Sequence, residues 1–391
     1  MQNLWNDSDA KKCSSDLDFR VYTSNLLGQS DALVLHGGGN TSVKTVINNE
    51  DILLVKGSGW DLVSIKHEGF APVKMKTLLE MAQLETLSDS DMVSGQKAAM
   101  IDTSAPNPSV EAILHAIIPF KYVDHTHADA VVTLSNSKTG LENIKSVFPN
   151  YLIIPYVMPG FVLAQRIYEM SRDLDWSSCE GIILHNHGIF TFDNDAKKSY
   201  DKMITAVTQA ETFLQENAPL MPEFNLPIVE FDAKTLTDLI SKAKETPLTI
   251  KINTSILAKT YASQDNLETF ATRGVLTPEH IIRTKRVPLI IDTLSSETSL
   301  AKFQADYKKY FKQFAKDEIM LNPAPNYAVI KDFGVISFGK NEKEATIIHD
   351  VVEHTMMAVL RADKLGGYQS ISLSDSFEME YWELEQAKLK K

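Results

Sequence analysis

The chain has 391 residues, 43% of them hydrophobic, and a formal net charge of −12 at pH 7. This length predicts two hydrophobic cores rather than one, and the acidic charge argues against nucleic acid or an anionic membrane as a partner and favours a small polar substrate. The 2 cysteines lie far apart and outside any CxxC spacing, which argues against a disulfide framework or a zinc ribbon and indicates a reducing, cytoplasmic setting.

The N-terminal segment, MQNLWNDSDAKKCSSD, lacks the apolar core of a signal peptide, and no apolar run in the chain reaches about 18 residues. A helix is predicted over residues 16–28, where Leu17, Val21 and Leu26 recur at roughly helical spacing before a glycine. We therefore expect a soluble chain, without a targeting segment, whose first long element is a helix.

A glycine-rich segment, HGGGNTS, follows a predicted apolar strand at residues 32–35. Successive glycines let a loop direct several backbone N–H groups at one anion, although a glycine-rich hairpin turn fits the composition equally well. The segment lacks the third glycine of a GxGxxG fingerprint, and the chain has no GxxxxGK[ST] motif and no GxSxG nucleophile. A dinucleotide fingerprint, a P-loop and an esterase are thereby excluded.

A second predicted strand, residues 52–55, ends in a Lys-Gly-Ser-Gly turn at residues 56–59. This turn also suits an anion, because its backbone N–H groups and the charge of Lys56 can act together. The next apolar pattern, residues 73–87, predicts an amphipathic helix whose methionines fill the core.

The segment PSVEAILHAIIPFKYVDHTHAD combines an acid with two histidines. Ser109 is the predicted N-cap of a helix over residues 110–118, which places Glu111 in the first turn, where an acid is also common for helix stability alone. The strand that follows carries His125 and His127 on one face, about 7 Å apart, because side chains alternate along a strand. Two such imidazoles can share one metal ion.

A second pair of histidines follows a predicted helix at residues 161–170 and a predicted strand at residues 181–184. His185 and His187 stand at the end of that strand, ahead of a glycine, where one of them can supply a third metal ligand. A long helix, residues 196–216, then completes this half of the chain. The other histidines have no partner at ligand spacing and are interpreted as core or surface residues: His36, His67, His115, His280, His349 and His354.

Three prolines between residues 217 and 228 predict a linker, so we divide the chain into domains at residues 1–220 and 221–391. The second domain alternates helices and strands. Its predicted helices are residues 233–244, 298–315 and 342–360, and its predicted strands are residues 248–252, 288–291 and 328–338.

Two features of the second domain bear on its role. GVISFGKNEKEA, from Gly334, resembles GIFTFDNDAKKS, from Gly188, which favours either a degenerate copy that has lost the metal ligands or convergence on a common strand-turn-helix unit. The cation-rich segment TPEHIIRTKR, residues 277–286, is interpreted as a solvated or ion-paired helix end rather than a contact with an anionic ligand.

Five motifs, in this order, closely resemble the class II aldolase and adducin head-domain family: GGGNTSVK, KGSGWDL, PSVEAILH, HTHADA and NHGIFTF. The similarity continues through RGVLTPEHIIRTKRVP and EMEYWELEQAKL, which are similar to the aldolase portion of bifunctional rhamnulose-1-phosphate aldolase/alcohol dehydrogenase proteins. The resemblance implies an α/β fold: a three-layer α/β/α domain with a mixed, largely antiparallel central sheet, followed by a smaller C-terminal α/β domain. A dehydrogenase activity is not implied, because the dinucleotide fingerprint is absent.

The resemblance also implies a role for individual residues. His125, His127 and His187 match the zinc ligands of the family, with another divalent metal as an alternative, and Glu111 matches its acid/base. Val110 departs from the pattern, since several sugar-phosphate aldolases have a second serine there. The positions that match the substrate phosphate site are Gly39, Asn40, Ser58, Gly59 and Ser109.

These assignments imply a zinc-dependent lyase that cleaves a ketose 1-phosphate, with a deoxy sugar among the candidates, into dihydroxyacetone phosphate and an aldehyde. A zinc ion with three protein ligands and an open position can stabilise negative charge on a carbonyl oxygen, while Glu111 moves the proton. The family also implies a homo-oligomer, a tetramer, whose partner is a small-molecule sugar phosphate. Epimerases, dehydratases and decarboxylases of the same fold are alternatives, as is a non-catalytic adducin-like interaction module.

Overall fold

The computed structural model describes residues 1–220, 226–227 and 229–387. The chain forms two compact units: Unit 1 comprises Met1–Ser135 and Gly140–Phe213, and Unit 2 comprises Asn136–Thr139 and Leu214–Lys391. The predicted linker, residues 217–228, includes residues 221–225 and 228, which lie outside the described residues. The division at residues 220 and 221 stays a prediction.

The described helices and strands of Unit 1 alternate along the chain, and its last helix extends a few residues beyond Phe213. The helices are α1 (Asp7–Ala10), α2 (Asp16–Gly28), α3 (Met75–Ala82), α4 (Asp89–Ala98), α5 (Ala112–Ile117), α6 (Asp129–Ser135), α7 (Gly140–Val147), α8 (Phe161–Ser171) and α9 (Ala196–Asn217). The strands are β1 (Asn40–Ile47), β2 (Glu50–Lys56), β3 (Phe70–Lys74), β4 (Tyr122–Thr126), β5 (Tyr151–Ile154), β6 (Gly181–Leu184) and β7 (Gly188–Asp193).

These strands form a 7-stranded sheet in the order β3-β2-β1-β4-β7-β6-β5. Among the described strands of this sheet, β5 and β6 pair in parallel and every other neighbouring pair is antiparallel. The predicted mixed, largely antiparallel central sheet is therefore confirmed.

Alternate residues of β2 show that helices cover both faces of the sheet. Leu53 and Val55 belong to the larger core, which also contains residues of α5 and α8. Leu54 instead packs in a smaller core with Tyr122 and with residues of α2 and α9. Because successive side chains of a strand point to opposite faces, this alternation places one helical layer on each side, as the three-layer prediction requires.

The predicted strand at residues 32–35 is wrong. The N–H groups of Leu33 and Val34 both donate to the Ser30 carbonyl, at 2.9 and 3.2 Å, so the segment forms a turn after α2. The strand begins only at Asn40, beyond the glycines. The two apolar side chains are buried in this turn, and burial alone does not distinguish a turn from a strand.

The helix predicted over residues 73–87 is shorter than predicted: α3 covers Met75–Ala82, and a separate helix, α4, begins at Asp89. The Ser88 side chain accepts a hydrogen bond from the Asp91 N–H and begins α4 as its N-cap. In contrast, α2 and β6 match their predicted bounds. Within the described residues, no helix combines the length and the apolar character needed to cross a bilayer.

Unit 2 contains a 4-stranded sheet in the order β8-β11-β10-β9. Its core packs residues of α10 and α14 against three of these strands. The helices are α10 (Ala233–Lys244), α11 (Ile256–Ala262), α12 (Leu267–Ala271), α13 (Ile281–Thr284), α14 (Ser296–Phe314), α15 (Glu342–Lys364), α16 (Leu373–Tyr381) and α17 (Glu383–Gln386). The strands are β8 (Thr249–Asn253), β9 (Leu289–Ile291), β10 (Tyr327–Ile330) and β11 (Gly334–Gly339).

The strand order of Unit 2 repeats that of β4-β7-β6-β5 in Unit 1, including its one parallel pair, β9 with β10. A Cβ atom on Gly188 would lie 2.4 Å from the Thr126 carbonyl oxygen, and one on Gly334 would lie 2.3 Å from the Asn253 carbonyl oxygen. In this register Ile252 occupies the position of His125. The hypothesis of a degenerate copy remains a prediction, but this position offers no metal ligand.

Candidate metal centre

Three histidines converge at one end of β4. His125 lies within β4, His127 follows that strand, and His187 lies in the turn between β6 and β7. Each offers a ring nitrogen, and these ligand atoms all lie within 4.8 Å of one another. The Nε2 atoms of His125 and His127 are 3.1 Å apart. The sheet therefore brings together the three residues that the sequence assigns to the metal.

Gly188 allows the turn to approach β4 this closely. A Cβ atom there would overlap the Thr126 carbonyl oxygen at 2.4 Å and would lie 3.0 Å from His125 Cε1 and 3.2 Å from His127 Cδ2. Asn186, one residue before His187, has a φ of 61°, in the left-handed region that asparagine tolerates better than most residues. The Asn-His-Gly motif thus supplies a ligand and the backbone that presents it.

The hydrogen bond of His125 sets its orientation. Its Nδ1 atom lies 3.0 Å from the Ile189 carbonyl oxygen. A carbonyl oxygen only accepts, so Nδ1 carries the proton and the lone pair of Nε2 faces the histidine cluster. Phe190 stacks on the ring with 4.1 Å between centroids. A hydrogen bond of this kind fixes the tautomer that a metal requires.

Glu111 faces the cluster from the start of α5, where it is the N-cap residue. It is 4% exposed, with Oε2 3.5 Å from His125 Nε2 and Oε1 3.9 Å from His187 Nε2. Oε1 is buried and has no hydrogen-bond partner among the described residues. A buried carboxylate oxygen beside three imidazole nitrogens suits a divalent cation, and this donor set fits zinc among other metals.

The start of this helix corrects the prediction of an N-cap at Ser109. The Ser109 N–H donates to the Lys56 carbonyl at 3.0 Å, and Pro108 forms a β-bridge with Gly57. These contacts hold the segment extended, so α5 begins at Ala112 rather than at residue 110. The Ser109 hydroxyl accepts from the Glu111 N–H at 3.3 Å.

A series of hydrogen bonds between buried side chains holds Glu111 in place. Asn40 Nδ2 donates to Glu111 Oε2 at 2.5 Å, His115 Nε2 donates to Asn40 Oδ1 at 2.5 Å, and the Ser42 hydroxyl donates to His115 Nδ1 at 2.8 Å. Burial holds the pKa of His115 well below its usual range, so its ring is neutral and can both donate and accept. The Asn40 amide thus contacts the predicted acid/base.

The sequence analysis assigned His115 to the core or surface and so missed its hydrogen bond to Asn40. The spacing of His115 was a signal of this role, because it lies four residues after Glu111 and therefore on the same side of a helix. Asn40 and Ser42 likewise stand two apart on β1 and share a face. The contacts between these pairs depend on the fold.

The residues assigned to the substrate phosphate lie on three segments that meet beside Glu111. The Lys56 ammonium donates to the Gly37 carbonyl at 3.2 Å, and the Ser58 N–H donates to the Asn107 carbonyl at 2.8 Å. Lys56 itself is buried. The structure therefore places the glycine-rich segment, the turn at residues 56–59 and the segment before α5 next to one another.

Three backbone N–H groups in and beside the predicted phosphate site already donate within the chain. The N–H groups of Gly38, Ser58 and Ser109 donate to carbonyls of the chain, so none of the three is directed at a ligand. Gly39 and Gly59 adopt positive φ angles of 63° and 91°, which favour glycine. Any anion held here would depend on hydroxyl groups and the Lys56 charge in addition to N–H groups of the loop.

Comparisons with known proteins identify the family of the chain. Residues 20–214 match the Class II Aldolase and Adducin N-terminal domain, and residues 230–389 match Aldolase class II, second domain. The chain belongs to the class II aldolase and adducin family. The resemblance inferred from the motifs is thereby confirmed.

Class II aldolases appear among the solved structures that resemble this chain. The N-terminal class II aldolase domain of a conserved protein from Thermoplasma acidophilum is 38% identical, covers 55% of this chain and 99% of its own, and has a TM-score of 0.50. An L-fuculose-1-phosphate aldolase from Thermus thermophilus is 18% identical and covers 51% of this chain and 92% of its own, with a TM-score of 0.34.

A curated relative is longer than this chain. The uncharacterized oxidoreductase YuxG of Bacillus subtilis (strain 168) is 26% identical over 419 residues, which include 100% of this chain and 60% of the relative. This chain therefore spans 60% of the length of that protein.

A fully buried ion pair lies behind the histidines of this class II aldolase fold. An Arg20 guanidinium nitrogen lies 2.5 Å from Asp124 Oδ1, and the Ser199 hydroxyl donates to Asp124 Oδ2 at 2.5 Å. Arg20 also donates to the Val123 carbonyl at 3.3 Å. These bonds attach β4 to α2 and α9 at the residue before His125, so they position a candidate ligand without contacting the metal centre.

Proposed function

We propose that this chain is a metal-dependent aldolase that cleaves a ketose 1-phosphate, with a deoxy sugar among the candidates, into dihydroxyacetone phosphate and an aldehyde. The observation that carries the proposal is the buried carboxylate of Glu111, which lies 3.5 Å from His125 and 3.9 Å from His187. Membership of the class II aldolase and adducin family supports it. An adducin-like interaction module has no use for this arrangement.

In this proposal His125, His127 and His187 hold a divalent cation, with Zn²⁺ favoured by the nitrogen donors. When bound, the ion supplies Lewis-acid stabilisation of the negative charge that develops on the substrate carbonyl oxygen. The histidines provide three neutral ligands, which leave the ion its full charge. The burial of His125 and His187 excludes water from this side of the site and strengthens the electrostatic interaction.

Glu111 is the proposed general acid and base. Cleavage of the carbon–carbon bond converts the hydroxyl-bearing carbon into the aldehyde, with release of the hydroxyl proton to a base. The bonding electron pair stays on the carbon next to the carbonyl group, and that carbon must take up a proton. Oε1 is the atom without a hydrogen-bond partner among the described residues, so it is the atom from which the proton is transferred. The Asn40 amide holds Oε2 and thereby sets the direction of Oε1.

The substrate phosphate is proposed to bind beside Glu111, and the residues assigned to it are Gly39, Asn40, Ser58, Gly59 and Ser109. The Lys56 ammonium adds a positive charge to the same region. Val110 stands where several sugar-phosphate aldolases have a second serine, so Ser109 provides the hydroxyl group here. Binding the phosphate at a distance from the reacting carbons orients them for cleavage.

Three further assignments are part of the proposal. The chain corresponds to the aldolase portion of bifunctional rhamnulose-1-phosphate aldolase/alcohol dehydrogenase proteins, it forms a homotetramer, and it acts in the cytoplasm. The two cysteines, Cys13 and Cys179, are free thiols, which suits a reducing compartment. Sedimentation equilibrium tests the tetramer directly.

The decisive experiment measures metal content and dihydroxyacetone phosphate release on the same preparations. Wild-type protein reconstituted with Zn²⁺ is expected to hold about one ion per chain and to cleave at least one member of a panel of ketose 1-phosphates. Glu111→Gln is expected to lower kcat by about 100-fold to 10,000-fold, the contribution of a general acid or base. His185→Ala is the matched control, because His185 bonds to Asn186 and lies outside the histidine cluster.

Two results would overturn the proposal at different levels. Absence of a bound divalent ion in wild-type protein removes metal-dependent chemistry altogether. A bound ion without cleavage of any ketose 1-phosphate, or full activity in Glu111→Gln, removes the lyase. Epimerase, dehydratase and decarboxylase assays then become the next measurements.

A further inference from the structure

Unit 2 contains a cavity of about 370 Å³ that is lined by residues of β9 and α14. At roughly 30 Å³ per water-sized group, this volume accommodates a ligand of about a dozen non-hydrogen atoms. Apolar side chains, including Ile290, Leu294 and Phe303, form part of its lining. Two consecutive cations, Lys285 and Arg286, line the same cavity. The cavity thus combines an apolar body with a pair of positive charges.

The backbone at Lys285 is strained. Its φ of 60° and ψ of 177° fall in a region that is populated almost entirely by glycine and that is unfavourable for a lysine. The same residue places its ammonium group 3.9 Å from the centroid of the Tyr307 ring and 3.6 Å from Glu380 Oε1. A costly backbone conformation that holds a buried cation beside a cavity is a feature of binding sites rather than of solvated helix ends.

The buried charges around the cavity have unused hydrogen-bonding atoms. Tyr307 donates to Glu380 Oε1 at 2.8 Å. The Arg286 Nε atom and the Tyr310 hydroxyl are buried without a hydrogen-bond partner among the described residues. Burial lowers the pKa of Arg286 and of Lys285, which means that their charged forms lack full compensation by the surrounding protein. Donors of this kind are stabilised by an anion.

We propose that this cavity binds a small organic anion, in which a phosphate or carboxylate group contacts Lys285 and Arg286 and an apolar or aromatic body packs against the remaining walls. The guanidinium group of Arg286 can donate two parallel hydrogen bonds to such a group, and Lys285 adds a point charge. Tyr307, Tyr310 and Phe303 line the cavity and offer ring surfaces to the ligand body.

The anionic class follows from the charges at the cavity. The chain carries a net charge of −12, and Glu268, Asp292 and Asp306 also line the cavity. An anion can therefore bind only where cations offset this negative charge locally. Two other lysines line the cavity. Lys302 forms ion pairs with two carboxylates and is therefore already neutralised, and Lys309 is exposed to solvent. Lys285 is itself paired with Glu380 at 3.6 Å, so Arg286 is the partly buried cavity cation without an ion pair among the described residues, and it contributes most to binding the anion.

This inference is independent of the proposed lyase activity, because the cavity residues all belong to Unit 2. Isothermal titration calorimetry on the full chain tests it with three probes of similar size: phenyl phosphate, benzoate and the neutral benzyl alcohol. Saturable binding of at least one anion is expected. The anion that binds more tightly shows whether the cavity prefers a phosphate or a carboxylate group. Benzyl alcohol is expected to bind at least about tenfold more weakly, the loss of one charge-assisted bond.

Variants then locate the binding. Arg286→Met is expected to weaken anion binding at least about tenfold, whereas Lys312→Met, which removes an exposed cation of helix α14 outside the cavity, leaves it unchanged. Lys285→Gly removes the second cation but suits the observed φ and ψ, and it is expected to fold and to lose binding. If Arg286→Met does not fold, Arg286→Lys replaces it in the experiment, because this variant keeps the positive charge. It is expected to bind the anions more weakly than wild type.

Three outcomes would overturn the inference. The first is that neither anion shows saturable binding up to roughly 10 mM. The second is that benzyl alcohol binds as tightly as the anions. The third is that the substitutions of Arg286 and Lys285 leave anion binding unchanged. The last outcome places the bound anion elsewhere, as in the phosphate region of Unit 1.

Discussion

Asn40 donates a hydrogen bond of 2.5 Å to Glu111, although the two residues lie 71 positions apart in the chain. The same amide accepts a hydrogen bond from His115. Asn40 therefore connects the first strand of the central sheet to the predicted acid/base and to a buried neutral histidine. Its removal affects both neighbours at once.

Asn40→Ala is expected to lower the free energy of unfolding by about 2–4 kcal/mol, because it leaves Glu111 Oε2 and His115 Nε2 buried without their partner. Urea denaturation measures the change. Asn3→Ala is the matched control, since Asn3 donates to Asp201 at 2.8 Å on the surface, and it is expected to have little effect. Equal losses for the two variants would contradict a buried role for Asn40.

Asp124→Asn is expected to destabilise the fold by about 3–5 kcal/mol, since the fully buried Arg20 loses the charge of its partner. Because Asp124 precedes His125, the variant is also expected to bind metal more weakly. Chemical denaturation and metal analysis provide the two readouts. Lys12→Met removes an exposed pair with Asp9 and should remain near wild type; a similar loss in that variant would rule out burial as the cause.

Divalent metal is expected to stabilise the folded chain. A ligand that binds only the folded state adds about 2.7 kcal/mol at 100 times its Kd, so Zn²⁺ should raise the Tm of metal-free protein. His127→Ala removes one ligand of the cluster and should abolish most of this increase, whereas His185→Ala should retain it. An equal increase in wild type and His127→Ala would show that the ion binds elsewhere.

Gly188→Ala is expected to weaken metal binding, because the added Cβ would overlap the Thr126 carbonyl and push the turn away from His125 and His127. Gly334→Ala makes the equivalent overlap with Asn253 in Unit 2. Both variants are expected to lose stability, and only Gly188→Ala is expected to lose metal. Metal content measured on folded protein separates the two; loss of metal in both would mean that the effect is not local.

Lys44 predicts a pH dependence of stability. Burial lowers its pKa to about 7, although its ammonium donates to the Ile118 and Phe120 carbonyls. Between pH 7 and about 10 the unfolded chain then binds a proton at Lys44 that the folded chain releases, so the contribution of Lys44 to folding becomes more favourable as pH rises. The unfolding free energy of wild type minus that of Lys44→Met should increase over this range. A flat difference would show that the two carbonyls keep the ammonium charged.

Local patterns account for the elements that sequence analysis placed well. Helices α2 and α10 and strand β6 match their predicted bounds, because the spacing of apolar residues and the residues at the ends are properties of a short segment. The strand predicted at residues 32–35 failed for the opposite reason. Whether Leu33 and Val34 form a turn depends on the Ser30 carbonyl and on the burial of both side chains, which a local apolar pattern does not report.

The sequence by itself determined the residue types of the site, the order of its motifs and the family, since three histidines, one acid and two glycine turns can be recognised without coordinates. Only the tertiary structure decided that these groups meet, because the pairing of β4 with β1 and β7 brings together residues that are far apart in the chain. It also decided that Asn40 contacts Glu111, that the N–H groups of Gly38 and Ser58 are already bonded, and that Lys285 is buried beside a cavity. Hydrogen bonds and burial are relations between distant segments, and no local pattern encodes them.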